Sequence, residues 1–429
     1  MEVVSVAENV RLAPSSTLPT VWAGHPAGTA GYRRLVFAVM AGGFANFSLM
    51  YFVQPLLPVL AARYSVSAAE SAHVLSITTL TIMLGLLVTG PLADRIGRVA
   101  VMRWSLLASG VLGLAAAFAP TWGSLLVLRG LLGVTLAGLP GAALAYLREE
   151  VHPAAHARAN ALYITGTGLG GAAGRLLPGL LAALGGWPLA AAVMSLLTLG
   201  ASAAMWLLLP PSLGFAPRPV RLRDAVLGTL LAPRERVIAL LCLTGFAAMG
   251  TFVGVYNAVP FRLQAPPFGL GAAAVVVYLI YPVGSVAPLI ARALSDRIGR
   301  GLATATGLAV LVASIAVTTA ASLPWVIAGL GGCVFAFLGV HSLLSGWVVD
   351  KAKRSGIGTA QASGAYLLLY YLGSTVFGAV ATQQWQTSGW SGVETVTMAL
   401  ATAGVVTALI AAVWDRNPRR ARTVATSHV

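Results

Sequence analysis

The stretch Gly90-Pro91-Leu92-Ala93-Asp94-Arg95-Ile96-Gly97-Arg98 decides how the rest of the chain is read. It packs one acid, two arginines and two glycines into a turn between two long apolar runs. An echo, Ser295-Asp296-Arg297-Ile298-Gly299-Arg300, follows about 200 positions later, and a period that long marks a repeated domain rather than a solenoid. A second echo has nearly the same offset: Ala157 to Tyr163 (ARANALY) answers to Ala360 to Tyr366 (AQASGAY), and Leu169-Gly170 to Leu372-Gly373. Two echoes at one spacing divide the chain into two similar halves.

The runs around these turns are too apolar for a surface in water. Of 429 residues 58% are hydrophobic and 9% charged, where a soluble domain carries about 25% charged. The net charge of +15 would suggest nucleic acid in a soluble protein, but no basic stripe with interleaved aromatics accompanies it. Cys242 and Cys333, the two cysteines, both fall inside apolar runs and read as buried free thiols. No metal-ligand spacing occurs.

A hydrocarbon core needs about 20 apolar residues as helix. Twelve runs between residues 36 and 414 meet that length, and no alternating barrel signal competes with them. The expected fold is therefore an all-α membrane protein of twelve spans. Its parts are a loose polar tail (1–35), a first six-helix bundle (36–209), a linker (210–236), a second bundle (237–414) and a C-terminal tail (415–429). Ala119 to Trp122 and Gly185 to Pro188 mark tight connections. All but four of the 27 Lys and Arg residues fall in the tails and the loops after even-numbered spans, the exceptions being Arg63, Arg129, Arg175 and Arg262. Basic loops stay on the cytoplasmic side, which places both termini in the cytoplasm.

With twelve spans, two parallel halves and a repeated D-R-x-G-R turn, the chain resembles the major facilitator superfamily from about residue 35 to 415. Gly90, Leu92, Asp94, Arg95, Gly97 and Arg98 match that family's signature loop, while Val99 replaces its last basic residue and Arg292 stands where the second copy would have glycine. Within the family it is similar to the bacterial drug- and sugar-efflux branch, on Ala45 to Ser48, Tyr51 to Leu57, Gly168 to Arg175 and Tyr370 to Ser374. Arg129 and Gly133 fit that branch's helix-four pattern. The helix-five antiporter pattern is approximate: Gly166, Gly170 and Gly174 are in place, but Gly171 stands for the proline and Arg175 for the final glycine.

The resemblance implies a conformational latch at Gly90, Asp94, Arg95, Gly97 and Arg98, with Asp296, Arg297 and Arg300 as its second copy. An intramembrane arginine is costly and faces a cavity or a partner. Arg129 is thus either linked to proton or substrate movement or a structural group bonded to helix one. Arg175, in the outer half of helix five, either acts at the site or snorkels. His341 is a candidate proton carrier or a packing residue. Asn46, Tyr51, Gln54, Tyr256, Asn257, Tyr366, Tyr370 and Tyr371 offer rings and amides suited to a mid-bilayer site, or to polar contacts between helices. The twelve carboxylates all lie in tails, loops or helix ends, so a neutral or anionic solute is easier to hold than a cationic one.

The sequence thus reads as a monomeric secondary transporter among membrane lipids, exporting a small organic molecule by alternating access on a proton gradient. Organic-anion uptake or exchange is the alternative, and a non-transporting sensor a further one. Neither a cofactor nor a nucleic-acid partner is expected. Gly166 to Gly171 matches the dinucleotide fingerprint but lies inside a span with no acid about 20 residues on, so close helix packing explains it better. No H-E-x-x-H or G-x-S-x-G hydrolase signature occurs, and the chain is not expected to be an enzyme.

Overall fold

A computed structural model describes residues 22–217 and 221–416. Among the described residues, ten helical stretches are long and apolar enough to cross a membrane. Two of them, Pro153–Leu208 and Thr359–Arg416, hold 56 and 58 residues, far more than one crossing takes. The first reverses at Gly185 and Gly186 and the second at Gly389, where the backbone leaves helical angles. The ten stretches therefore make twelve crossings. In chain order they are α1 (Ala30–Tyr64), α2 (Ala68–Ile96), α3 (Arg98–Ala117), α4 (Trp122–Glu150), α5 (153–184), α6 (187–208), α7 (Arg236–Gln264), α8 (Ala273–Ile298), α9 (Arg300–Val317), α10 (Leu323–Arg354), α11 (359–388) and α12 (390–416).

Local chemistry sets several of these ends. Ser67 and Glu70 form a capping box at the start of α2, and Thr121 and Ser124 do the same for α4. Glu235 caps α7 by accepting from the Ile238 amide at 2.7 Å. Pro55 lacks an amide hydrogen, and α1 breaks there into a 3-10 turn over Gln54–Leu56. Irregular backbone at membrane depth is tolerated where protein buries it or where it lines a cavity. Gln54 is fully buried, which makes this break the first structural pointer to a site.

The halves are built alike. Gly170 of α5 meets the Phe44 backbone of α1, and Gly373 of α11 meets the Phe246 backbone of α7. At both places a Cβ would strike a main-chain carbonyl, so only glycine admits the approach. Large apolar side chains such as Val127, Leu184 and Leu207 point outward and are exposed, as a lipid-facing surface requires.

Two features depart from the sequence reading. The tail is not loose throughout: the His25 amide donates to the Glu150 carbonyl at 2.7 Å, and the His152 amide to the His25 carbonyl at 3.1 Å. The linker contains a helix, Leu222–Leu231, that packs on α2 and α11 and so touches both halves. Of the linker, residues 218–220 lie outside the described part.

Candidate functional site

One end of the molecule carries both D-R-x-G-R turns and the linker helix; we call it the basic end. There Gly97 and Gly299 adopt φ of +98° and +86°, a left-handed conformation that glycine takes at no steric cost. Each lets one helix stop and the next begin without a loop. Arg98 reaches Asp94 at 2.5 Å and Glu149, at the end of α4, at 3.1 Å. In the second half Arg300 reaches Asp350, at the end of α10, at 2.8 Å. Asp296 stands 3.9 Å from Arg292 with both side chains exposed. Gly90 faces open space, and Arg95 and Arg297 are exposed. Sequence reasoning missed Glu149 and Asp350. Their partners are about fifty positions away, and only the helix packing reveals the pairing.

Arg129 is fully buried in α4. Its guanidinium donates to the carbonyls of Val74 (3.3 Å), Leu49 (3.3 Å) and Met50 (3.1 Å), and lies 5.4 Å from the Phe52 ring centre. These bonds join α4 to α1 and α2 through the backbone.

Arg175 is different. It is fully buried, so it does not snorkel. Nε donates to Gln54 Oε1 at 2.7 Å and Nη1 to the Gly171 carbonyl at 2.7 Å. Nη2 is buried without a hydrogen-bond partner. Gln54 Nε2 in turn donates to Asn257 Oδ1 at 2.8 Å, and Asn257 Nδ2 to the Gly378 carbonyl at 3.3 Å. This chain of amides starts in the first half, on α5 and α1, and ends in the second, on α7 and α11. The guanidinium lies 4.0 Å from the Tyr51 ring centre and 4.7 Å from that of Tyr281. Among the described residues no ion pair reaches Arg129 or Arg175.

The second half supplies an aromatic wall beside it. Phe252 stacks on Phe337 at 4.2 Å, and the His341 ring lies 6.1 Å from Phe337 and 4.8 Å from Tyr370. His341 Nδ1 and the Tyr366 hydroxyl are 2.8 Å apart. The Tyr256 hydroxyl donates to the Leu330 carbonyl at 3.0 Å, and Tyr371 packs edge-on against Tyr370. Asn46 is buried with its side-chain oxygen unpartnered. Of the residues singled out from sequence, Tyr51, Gln54, Arg175, Tyr256 and Asn257 thus converge. His341, Tyr366 and Tyr370 form the adjoining wall, and Arg129 makes its bonds to other groups. Phe252, Tyr281 and Phe337 were missed, because a ring on an apolar helix gives no sign of which neighbour it meets. Both cysteines are free and buried. No group of metal-ligating side chains occurs among the described residues.

Known proteins resemble this chain. The uncharacterized MFS-type transporter YybF of Bacillus subtilis (strain 168) is 35% identical over 367 residues, covering 85% of this chain and 90% of that protein. The inner membrane transport protein YnfM of Escherichia coli (strain K12) is also 35% identical over 367 residues, covering 85% and 87%. Among solved structures, a bacterial homologue of the human lysosomal transporter Spinster superposes with a TM-score of 0.69 at 16% identity, over 92% of this chain and 99% of that one. The model of the Major Facilitator Superfamily matches residues 39–378. This multi-pass membrane protein is a transporter, not an enzyme, and it belongs to the Major Facilitator Superfamily.

Proposed function

We propose that the chain moves a small organic solute by alternating access, with both termini in the cytoplasm, and that it exports drugs or sugars against an inward flow of protons. The observation that carries this reading is the uneven closure of the two halves. α5 has its contact with α8 along residues 271–286, with Gly179 against Val275. The Gln54–Asn257 bond, the Ser76–Thr375 and Thr79–Thr375 bonds, and the Ala69 amide donating to Gln386 all lie between the middle of the spans and the end opposite the basic one. A pocket of about 250 Å³ is left between the halves there, lined by residues such as Pro55, Gly179, Pro260 and Tyr278. Toward the basic end, Ile164 and Leu169 of α5 and Leu289 and Ile290 of α8 are more than half exposed.

Positive loops stay in the cytoplasm. We therefore read a molecule whose cross-half bonds gather away from its basic end as open inward, above a polar site that both halves build. That is the posture in which an exporter loads. His341, partly buried in the wall and bonded to Tyr366, is the side chain we assign to carrying the proton. The test is flux in proteoliposomes across a panel of drugs, sugars and organic acids, with and without an imposed pH gradient. Uphill movement that follows the gradient is expected. Flux indifferent to pH would redirect the mechanism to facilitated diffusion or exchange.

A second reading, uptake or exchange of an organic anion, is favoured by Arg175, a buried cation with no acid beside it. Counterflow of one organic acid against another in the absence of a pH gradient distinguishes it.

A further inference from the structure

We propose that the site around Arg175 binds a carboxylate carried on a flat aromatic ring, an inference that rests on the reading that the two halves alternate about this site. A guanidinium held out of water among rings, with no carboxylate in its shell, leaves its charge uncompensated. The Tyr51 and Tyr281 faces soften that cost by cation–π attraction but accept no hydrogen bond from Nη2. Nη2 is buried and unpartnered, and its neighbour Nε donates to a neutral amide oxygen that an anion can displace. Together Nε and Nη2 present the parallel fork that a carboxylate takes with two bonds.

What stands beside the fork selects the rest of the ligand. Phe252, itself 5.9 Å from the guanidinium, begins a row of nearly parallel rings that continues through Phe337 (interplanar 8°) to His341 (15°). The row runs from the buried guanidinium to His341, which is only partly buried. The sides of such a stack present ring edges, which are positive and attract the negative face of an aromatic ring, a face that a saturated ring lacks. Binding then bears on the closure of the molecule. A carboxylate that takes Nε releases Gln54, and Gln54 is the residue that ties Arg175 to Asn257 across the halves. Loading the site thus loosens a bond on the closed side.

The experiment uses the full chain purified in lipid nanodiscs and titrated calorimetrically. The probes are benzoate, phenylacetate and indole-3-acetate, each against its own neutral amide, together with cyclohexanecarboxylate and trimethylphenylammonium. At least one aromatic acid should bind about tenfold or more tighter than its amide, the discrimination expected of a charge-assisted pair. That ratio should fall to near unity in Arg175→Gln and recover in part in Arg175→Lys. Equal binding of acid and amide by the unaltered protein overturns the proposal. So does stronger binding of the ammonium probe, cyclohexanecarboxylate matching benzoate, silence from all three acids, or a ratio that survives Arg175→Gln. If Arg175→Gln fails to fold, the acid–amide comparison on the unaltered protein decides alone. Flux measured on the same preparation separates the two readings. Solute movement without acid preference removes this site and leaves transport standing; acid binding without movement of any solute does the reverse.

Discussion

At the residue scale, Arg129 and Arg175, both fully buried, show how the same side chain makes different contacts. Arg129 spends its donors on three main-chain carbonyls, and hydrogen bonds between membrane helices average about 0.6 kcal/mol each. Arg129→Gln should therefore lower thermal stability by about 2 kcal/mol while leaving the solute affinity of the folded fraction unchanged. A melting curve and a binding isotherm on the same sample check this; an intact melting point with a changed affinity would return Arg129 to the site. From sequence alone both arginines were simply embedded cations. What separates them is whether the neighbouring backbone can offer free carbonyls, and α1 does so near its break but not at Arg175. His341 belongs to the same scale. His341→Gln keeps a hydrogen-bonding atom for Tyr366 but cannot take up a proton. Uphill flux on a pH gradient should vanish in it while counterflow continues, and gradient-driven flux that persists would remove His341 from the coupling.

At the element scale, packing in this molecule turns on where helices approach closest. Gly170 and Gly373 occupy matching places at the α1–α5 and α7–α11 contacts, each against a main-chain carbonyl that cannot retreat. Alanine at either place overpacks the contact, for which the typical cost is about 1–3 kcal/mol. Gly168→Ala is the control, since nothing lies near its missing Cβ. Gly170→Ala and Gly373→Ala should each lower the unfolding temperature, with Gly168→Ala matching the unaltered protein; equal melting points in all three would show that the helices can slide apart freely. These contacts were legible in advance, because glycines spaced four apart leave one face of a helix bare. So were the spans, since apolar length has few other meanings. The break in α1 was visible as Pro55 but not as a site, and the linker helix was hidden in a stretch whose prolines and arginines read as loop. The cage around Arg175 was half legible: Tyr51 and Gln54 stood out as polar groups in an apolar run, while Tyr281 came from a helix that nothing in the sequence joins to α5.

At the scale of the whole molecule, the repeat supplies equal scaffolds and the charges at the basic end make them unequal. Glu150 accepts from Ser212 Oγ at 2.5 Å and the Gly214 amide at 2.8 Å, which draws the chain after α6 across the first half and places the Phe215 ring 5.9 Å from the Arg98 guanidinium. The corresponding region of the second half, between Arg300, Asp350 and Asp415, holds an open pocket of about 670 Å³. In the posture described here Asp94 pairs with Arg98 of its own half. If Asp94 also helps hold the opposite posture, neutralising it should unbalance the cycle without disturbing the fold. Asp94→Asn is expected to insert and melt normally but to lose about tenfold in flux, as removal of roughly 1.4 kcal/mol from one of two alternating states implies. Bridging Gly179→Cys to Val275→Cys with a short thiol reagent should abolish flux altogether, since it pins the end already closed, and release of the bridge should restore it. The native cysteines are buried and give little background. Full activity in Asp94→Asn removes the latch, whereas full activity in the bridged protein removes alternating access itself, because solute would then be crossing without the halves parting on that side.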